Sequence, residues 1–319
     1  DPDGNIVETR DIRMQFIGDF PRASGQVQWT SPGGTIVNAN ANYRRAYENF
    51  RDNQYRDLAT GVDRQRNFEN RDRGWGYELG GDVQFDLGPG SLKLIGLERY
   101  SRNRGRSDSI LVFNDANPDA GSRFASRTET GERIGRAEYS WGMLGADWQL
   151  SGEAAFNRLD QVGRLFLYDP VAEQYAEIPF PSGVGGVRED RYEGLLSVGF
   201  PITPNLSVQF VGGGEYSTIA QTGSNALSRT FQRPKGSLSL AWAPVDGLDI
   251  NLEVARRVGQ LDFGDFLASV NLTDDQENAG NNNLRPQQNW DVTLEATRNF
   301  GEWGTATLTL FHEQIEDLV

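Results

Sequence analysis

The run Trp290-Asp-Val-Thr-Leu-Glu-Ala-Thr-Arg-Asn-Phe-Gly-Glu-Trp-Gly-Thr-Ala-Thr-Leu-Thr-Leu-Phe311 decides the fold. Trp290, Val292, Leu294 and Ala296 alternate with Asp291, Thr293, Glu295 and Thr297. After the turn Phe300-Gly-Glu-Trp-Gly304, Ala306, Leu308 and Leu310 alternate with Thr305, Thr307 and Thr309. Successive side chains on a strand point to opposite faces, so this stretch predicts a hairpin with one apolar and one polar face. A soluble sandwich could contain such a unit. Its recurrence along the chain is what narrows the choice.

Working outward, Leu238, Leu240 and Trp242 approach the turn Pro244-Val-Asp-Gly247, and Leu248, Ile250, Leu252 and Val254 leave it. Leu196, Val198 and Phe200 approach the turn Ile202-Thr-Pro-Asn205, and Leu206, Val208 and Phe210 leave it. The same reading places turns near Met143, Pro89 and Gly33. Val83, Phe85 and Leu87 precede Gly88-Pro-Gly90, and Ile12, Met14 and Phe16 predict a strand close to the N-terminus. Between these hairpins the sequence turns polar and charge-rich. Arg51–Arg73, Asn114–Gly121, Leu159–Glu189 and Gly259–Gln288 read as long connections.

Short turns thus alternate with long connections, whereas a sandwich has no reason to segregate loop length by end. A membrane-spanning barrel does, with short periplasmic turns and longer outer loops. Tryptophan marks both ends. Trp29, Trp141, Trp242 and Trp303 lie at short turns, and Trp75 and Trp290 are expected at the long-loop ends of their strands, as two interfacial girdles require. A tilted strand needs about 9–11 residues to cross hydrocarbon. Many candidate strands reach that length, against roughly 5–6 residues in soluble sheets.

Composition agrees. Of 319 residues 37% are hydrophobic, low for a globular core but sufficient where only alternate residues need be apolar. An aromatic content of 11% and regular alternation argue against disorder. The net charge of −14 argues against a nucleic-acid partner. Without cysteine there can be no disulfide or thiolate metal site. No apolar run has the length of a transmembrane helix, which leaves barrel strands untouched. The chain begins at Asp1 without an initiator Met and ends at Leu318-Val319 within a strand-like run, so a fragment of a longer protein is expected.

Arg257-Val-Gly-Gln-Leu-Asp-Phe-Gly-Asp-Phe-Leu-Ala-Ser-Val270, Ala279-Gly-Asn-Asn-Asn-Leu-Arg-Pro-Gln-Gln-Asn-Trp290 and Leu294-Glu-Ala296 resemble the barrel of TonB-dependent outer-membrane receptors. In that family an Asn-x-x-Leu-x-Pro-Glu type segment precedes a strand with an inward Glu. Asn282, Leu284, Pro286 and Glu295 fit approximately, and Gln287 stands where the family has Glu. The match is most specific over residues 256–319. Pro32-Gly-Gly-Thr-Ile-Val-Asn38 and Tyr43-Arg-Arg45 are also similar. The resemblance implies a barrel of about 22 strands around a plug. Roughly 13–14 strand candidates are counted by alternation. The expectation is therefore an all-β, antiparallel, incomplete transmembrane β-barrel. Residues 1–21 would hold the plug–barrel junction and first strand, and residues 22–319 the partial barrel. No plug, TonB-contacting box or terminal aromatic residue is visible.

Candidate chemistry is sparse. Asp115-Ala-Asn-Pro-Asp-Ala-Gly121 spaces oxygen ligands as a calcium loop does, but Ser126 occupies the place of the bidentate Glu, and a plain Asx-rich loop is the simpler reading. Thr273-Asp-Asp-Gln-Glu-Asn278 is read the same way. His312 is the single histidine and lacks partners for a strong metal site; it is placed in the lumen, at an interface or on the surface. No carboxylate pair, Ser–His arrangement or phosphate loop has a recognisable catalytic spacing. Neither a catalytic set, nor a cofactor, nor a metal site is expected.

Asp249, Asn251, Glu253, Asp291, Thr293 and Glu295 are expected to line the lumen as a hydrated wall against the plug. Tyr168, Tyr175, Phe180 and Tyr192 are candidate ligand contacts, with loop packing the competing reading. The resemblance implies a receptor in the outer membrane of a Gram-negative bacterium that imports a scarce solute such as a siderophore–iron complex, cobalamin or an oligosaccharide. Its implied partners are membrane lipid, the plug, the TonB complex and the small-molecule substrate. A plugless porin-like channel, an outer-membrane enzyme and a soluble all-β binding protein are the alternatives.

Overall fold

The computed structural model describes residues 6–223, 226–267, 269–272, 276–278, 281 and 283–317. Its strands are β1 Glu8–Asp19, β2 Arg22–Thr30, β3 Ile36–Leu58, β4 Arg64–Leu87, β5 Gly90–Phe113, β6 Ala120–Met143, β7 Ala146–Asp169 and β8 Gln174–Ile178. There follow β9 Val184–Thr203, β10 Leu206–Gly223, β11 Ser228–Val245, β12 Leu248–Val258, β13 Ser269–Asn271, β14 Gln276–Asn278, β15 Gln288–Asn299 and β16 Thr305–Glu316. All except β13 and β14 join one open, antiparallel 14-stranded sheet. Its path is β1-β3-β4-β5-β6-β7-β9-β10-β11-β12-β15-β16. β1 and β2 lie end to end along β3, interrupted at Phe20-Pro21, where Arg45 N–H donates to the Pro21 carbonyl at 2.9 Å.

All six predicted turns form. Between β6 and β7, Leu144 and Gly145 both have positive φ (58° and 73°), a two-residue hairpin turn whose twist matches the strands it joins. Trp290–Phe311 is the β15–β16 hairpin, with Leu294 opposite Leu310.

Two of the expected connections are corrected. Arg51–Arg73 and Leu159–Glu189 are mostly strand. β3 runs to Leu58, β4 starts at Arg64, β7 runs to Asp169 and β9 starts at Val184. β4 to β7 are each 24 residues long, more than twice the crossing length. A strand that runs on beyond the apolar band loses its apolar outer face and so reads as a loop. Trp75 is corrected with them. It lies midway along β4, not at its end.

Paired residues share a side of the sheet. One side carries Leu79, Leu94, Leu150, Leu196, Phe210, Leu238 and Leu294, all exposed. This is the outward band. Tyr77 and Tyr100, opposite one another about ten residues from the Gly88-Pro89 turn, mark its upper edge with Phe156, Tyr192, Tyr216 and Trp290. Tyr139, Trp141, Trp148, Phe200 and Trp242 mark its lower edge. Ten residues at about 3.3 Å, tilted about 40°, rise about 25 Å, the height of a barrel's apolar band.

The other side of the sheet is polar beside this band and apolar above it. There Leu159, Val187 and Ile219 pack with Phe266, Leu267 and Leu284, and Phe68 and Phe124 pack with Leu272. The segment between β12 and β15 therefore folds back across the inner wall instead of extending away. Arg66 donates to the Leu272 carbonyl at 2.8 Å, and Arg229 donates to the Asn283 carbonyl at 3.1 Å and to its Oδ1 at 3.0 Å. Among the described residues no helix is long and apolar enough to cross a membrane, which says nothing about strands.

Candidate functional site

The register of the long strands places Asn42, Glu78, Arg99, Glu132, Asn157 and Glu189 side by side in one inward rung across β3 to β9. Arg99 is the hub. It reaches Glu78 at 2.6 Å and Glu132 at 3.2 Å. One rung higher, the Ser101 and Thr130 hydroxyls meet at 2.6 Å. Gln260, Leu261, Asp262 and Phe263 of the folded-back segment roof the rung, with Leu261 and Phe263 held against the Leu159 cluster. The Asp262 carboxylate accepts from Gly264 N–H at 2.8 Å and shapes the roof's short 3₁₀ turn, Phe263–Phe266. The half-open chamber measures about 530 Å³, within the range of small-molecule sites.

The chamber mixes charge types. Glu78, Glu132, Glu189 and Asp262 face Arg22, Arg44 and Arg99. Asn157 donates to Glu189 at 2.9 Å, which fixes its amide orientation. Its Oδ1, and that of Asn42, are buried without a protein donor among the described residues. Buried acceptors ordinarily find a partner, so these two atoms offer places for donor groups of a solute. Glu189 stands beyond the membrane-crossing part of β9. Burial pushes its carboxyl above the usual range, against the pull of Asn157 and Arg191. Below, on the same wall, Arg191 reaches Glu153 at 3.0 Å, and Lys235 joins Glu193 at 2.5 Å and Glu215 at 2.6 Å. These ion pairs form a polar floor.

The residues singled out from sequence fall in different places. Asn251, Glu253, Thr293 and Glu295 face inward in a lower concavity of about 740 Å³, with Asp249 and Asp291 on the same side. Arg257 bonds Glu253 at 2.6 Å and also pairs with Asp291. The four aromatic candidates do not converge. Tyr168 and Tyr175 pack edge to face at 5.3 Å across β7 and β8. Phe180 covers Phe124 on the inner wall, and Tyr192 packs on Phe156 in the outer girdle.

The Asp115 loop is an Asx turn. Asp115 accepts from Asn117 N–H at 2.9 Å and from the Asn117 amide at 2.7 Å. Residues 273–275 of the second acidic loop, Asn282 of the resembling motif, the Asp1–Asn5 turn and Leu318-Val319 lie outside the described residues. His312 pairs with Val292 on the outward side.

Alternation alone does not reveal the rung, although counting outward from the Gly88-Pro89 turn pairs Glu78 with Arg99. The apolar residues of the roof were hidden in a segment whose average is polar.

Residues 9–319 match the sequence family described as TonB dependent receptor-like, beta-barrel. No curated protein matches. Among solved structures, the siderophore receptor PiuA from Acinetobacter baumannii superposes with a TM-score of 0.53 at 9% identity, over 96% of this chain and 57% of that one. The ferric-catecholate import receptor Fiu from E. coli K12 gives 0.51 at 10%, over 98% and 58%. The ferripyoverdine receptor of the Pseudomonas aeruginosa outer membrane gives 0.52 at 12%, over 95% and 48%. The chain thus spans about half the length of these structures.

Proposed function

Because this chain belongs to the family of TonB-dependent receptor β-barrels, we propose that it forms the wall of an outer-membrane active-transport receptor in a Gram-negative bacterium. Residues 1–21 then carry the plug–barrel junction and first wall strand, and 22–319 the partial barrel. The observation that carries the reading is the pairing of an outward apolar band with an inward polar chamber under a folded roof. A band faces lipid, a chamber captures a solute, and a roof held by side-chain packing can be displaced. A diffusion channel needs an open passage instead.

The solute on this reading is a small polar molecule such as a siderophore–iron complex, cobalamin or an oligosaccharide. The Asn42 and Asn157 acceptors favour one rich in hydroxyl or N–H donors, and Arg99 with its two carboxylates presents both signs of charge. The barrel performs no covalent step. It binds, orients and seals, and its partners are lipid, the plug and the TonB complex, which supplies the energy.

The test is uptake of labelled solutes by cells carrying the full-length receptor, with and without TonB. Saturable uptake abolished without TonB is expected. Non-saturable uptake that persists without TonB would make the protein a channel.

A further inference from the structure

The chain is acidic overall, yet the inner wall built by β1 to β4 carries arginines that its carboxylates leave over. In the chamber, Glu78 and Glu132 are held by Arg99, Glu189 by Asn157, and Asp262 by Gly264 N–H. Arg22 and Arg44 stand directly opposite one another across β2 and β3, one rung above Asn42. Among the described residues neither side chain has an ion pair or a hydrogen bond. Gly76 continues their rung on β4. A Cβ there would come within 2.8 Å of the Tyr100 carbonyl oxygen and 3.1 Å of the Ser101 Cβ, so the wall stays bare beside Arg44. A recess of about 340 Å³ joins both arginines to Ser101 and Asn103, and it shares Arg22, Arg44 and Ser101 with the chamber. Glu48 also lines it, beyond ion-pair reach of either arginine.

A second row stands higher on the same wall. Arg10, Arg56 and Arg64 are directly opposite one another across β1, β3 and β4. They lie one rung beyond Arg66, which is itself tied to the roof at Leu272. Glu8 pairs with Arg10 and lies 3.9 Å from Arg56. Arg64 has no acidic partner within ion-pair reach among the described residues, and the Nε–H groups of Arg56 and Arg64 are buried without an acceptor. Like charges in direct register destabilise a sheet unless something neutralises them, and buried donors ordinarily find partners. Burial, and the guanidinium of Arg10 beside it, hold the Arg56 pKa below its ordinary value.

Building on the transport reading above, we propose that the solute is an acidic oligosaccharide, a hydroxyl-rich chain with carboxylates on successive units. Adjacent strands set the residues of a row about 4.8 Å apart, so each row takes a line of carboxylates rather than one compact charge. Each guanidinium binds its carboxylate through a charge-assisted fork. The sugar hydroxyls supply the donors that the Oδ1 atoms of Asn42 and Asn157 lack. The upper row draws the chain in from solution, and Arg22 and Arg44 hold it under the roof. A compact anion without hydroxyls would occupy one row and leave the amide acceptors unmet.

The test titrates the full-length receptor, in nanodiscs of zwitterionic lipid, with a linear galacturonate hexamer, with its carboxyl-reduced neutral counterpart, and with citrate as competitor. The acidic hexamer is expected to bind at least about tenfold more tightly than the neutral one, roughly one decade in Kd. Arg22→Gln combined with Arg44→Gln should remove that preference. Arg56→Gln combined with Arg64→Gln should instead slow association and flatten its dependence on salt. Equal affinity for the two sugars, an undiminished preference in the Arg22 and Arg44 variant, or full displacement by citrate at equal charge overturns the proposal. An unchanged association rate in the second variant removes the upper row from it. If the variants do not insert, the comparison of the two sugars on the unaltered receptor decides alone. TonB-dependent uptake of other solutes without preference for the acidic hexamer would sink this inference and leave the transport reading standing. Tight binding of the hexamer without TonB-dependent uptake would do the reverse.

Discussion

The lower and upper halves of the same strands are built on opposite plans. In β4, the lower outward positions are Leu79, Val83 and Phe85, while the upper ones are Gln65, Asn67, Glu69, Arg71 and Arg73. Inward, the lower half holds Glu78 and Asp82 and the upper half Arg66 and Phe68. The apolar face changes sides near the aromatic girdle. Backbone pairing continues across the change, since β4 and β5 stay in register from Leu87 to Arg64. What changes is the solvent. On the proposed reading lipid lies outside the lower half and water outside the upper half, whose inner side carries a folded protein segment. A strand's hydrophobic pattern therefore reports what each face touches, not merely that it is a strand.

This inversion can be broken most severely from the upper inner side. Phe266→Ala removes a buried ring that holds the roof on Leu159, Val187 and Ile219, and should cost about 3–5 kcal/mol locally. The readout is rapid hydrogen exchange and protease cleavage confined to residues 259–287. An unchanged pattern would mean that the roof is held by something other than this cluster.

Next comes the lipid face. Phe210→Arg, near the middle of the band, should destabilise the inserted receptor by about 2–4 kcal/mol. Thr218→Arg, on the same strand and side but above the girdle, should stay within about 0.5 kcal/mol. Urea titration in lipid vesicles measures both. Equal costs would remove the boundary drawn at Tyr216.

A smaller effect is expected from Arg229→Ala, which deletes two hydrogen bonds to Asn283 at the roof's far end. About 1 kcal/mol should be lost, read as faster exchange at residues 283–287 alone.

The smallest effect depends on pH. Burial raises the Glu189 carboxyl pKa in the folded wall, so the fold binds its proton more tightly than the unfolded chain does. Stability from this group is present below the ordinary carboxylate pKa and declines as pH rises through the raised value. Glu189→Gln keeps an acceptor for Asn157 and should flatten that slope, with higher stability than the native protein at neutral pH. A melting series across mildly acid to neutral pH that leaves the two proteins parallel would assign the slope to other groups.

The same inversion explains what could be read in advance. The lower halves, with their turns at Gly33, Pro89, Met143, Thr203, Asp246 and Glu302, were legible because lipid enforces strict alternation. Arg51–Arg73 reads as a connection because its outward residues are charged and its inward apolar residues, such as Phe68, are few and widely spaced. Asn42, Glu78, Arg99, Glu132, Asn157 and Glu189 come from six strands, and only the pairing brings them into one row. Alternation fixes which face a residue takes. The height at which distant strands meet is set by loop lengths and shear, to which hydrophobicity is blind.

The roof also has a geometric consequence. It touches β4 through Arg66 and Phe68, and β11 through Arg229 and Phe231. Those strands are six neighbours apart along the sheet, an arc of about 29 Å at the usual strand spacing. A chord tied at two points of an arc fixes the curvature between them. The segment that closes the chamber therefore also sets the local radius of the wall, so any motion that lifts it lets the wall flatten and widens the opening beneath.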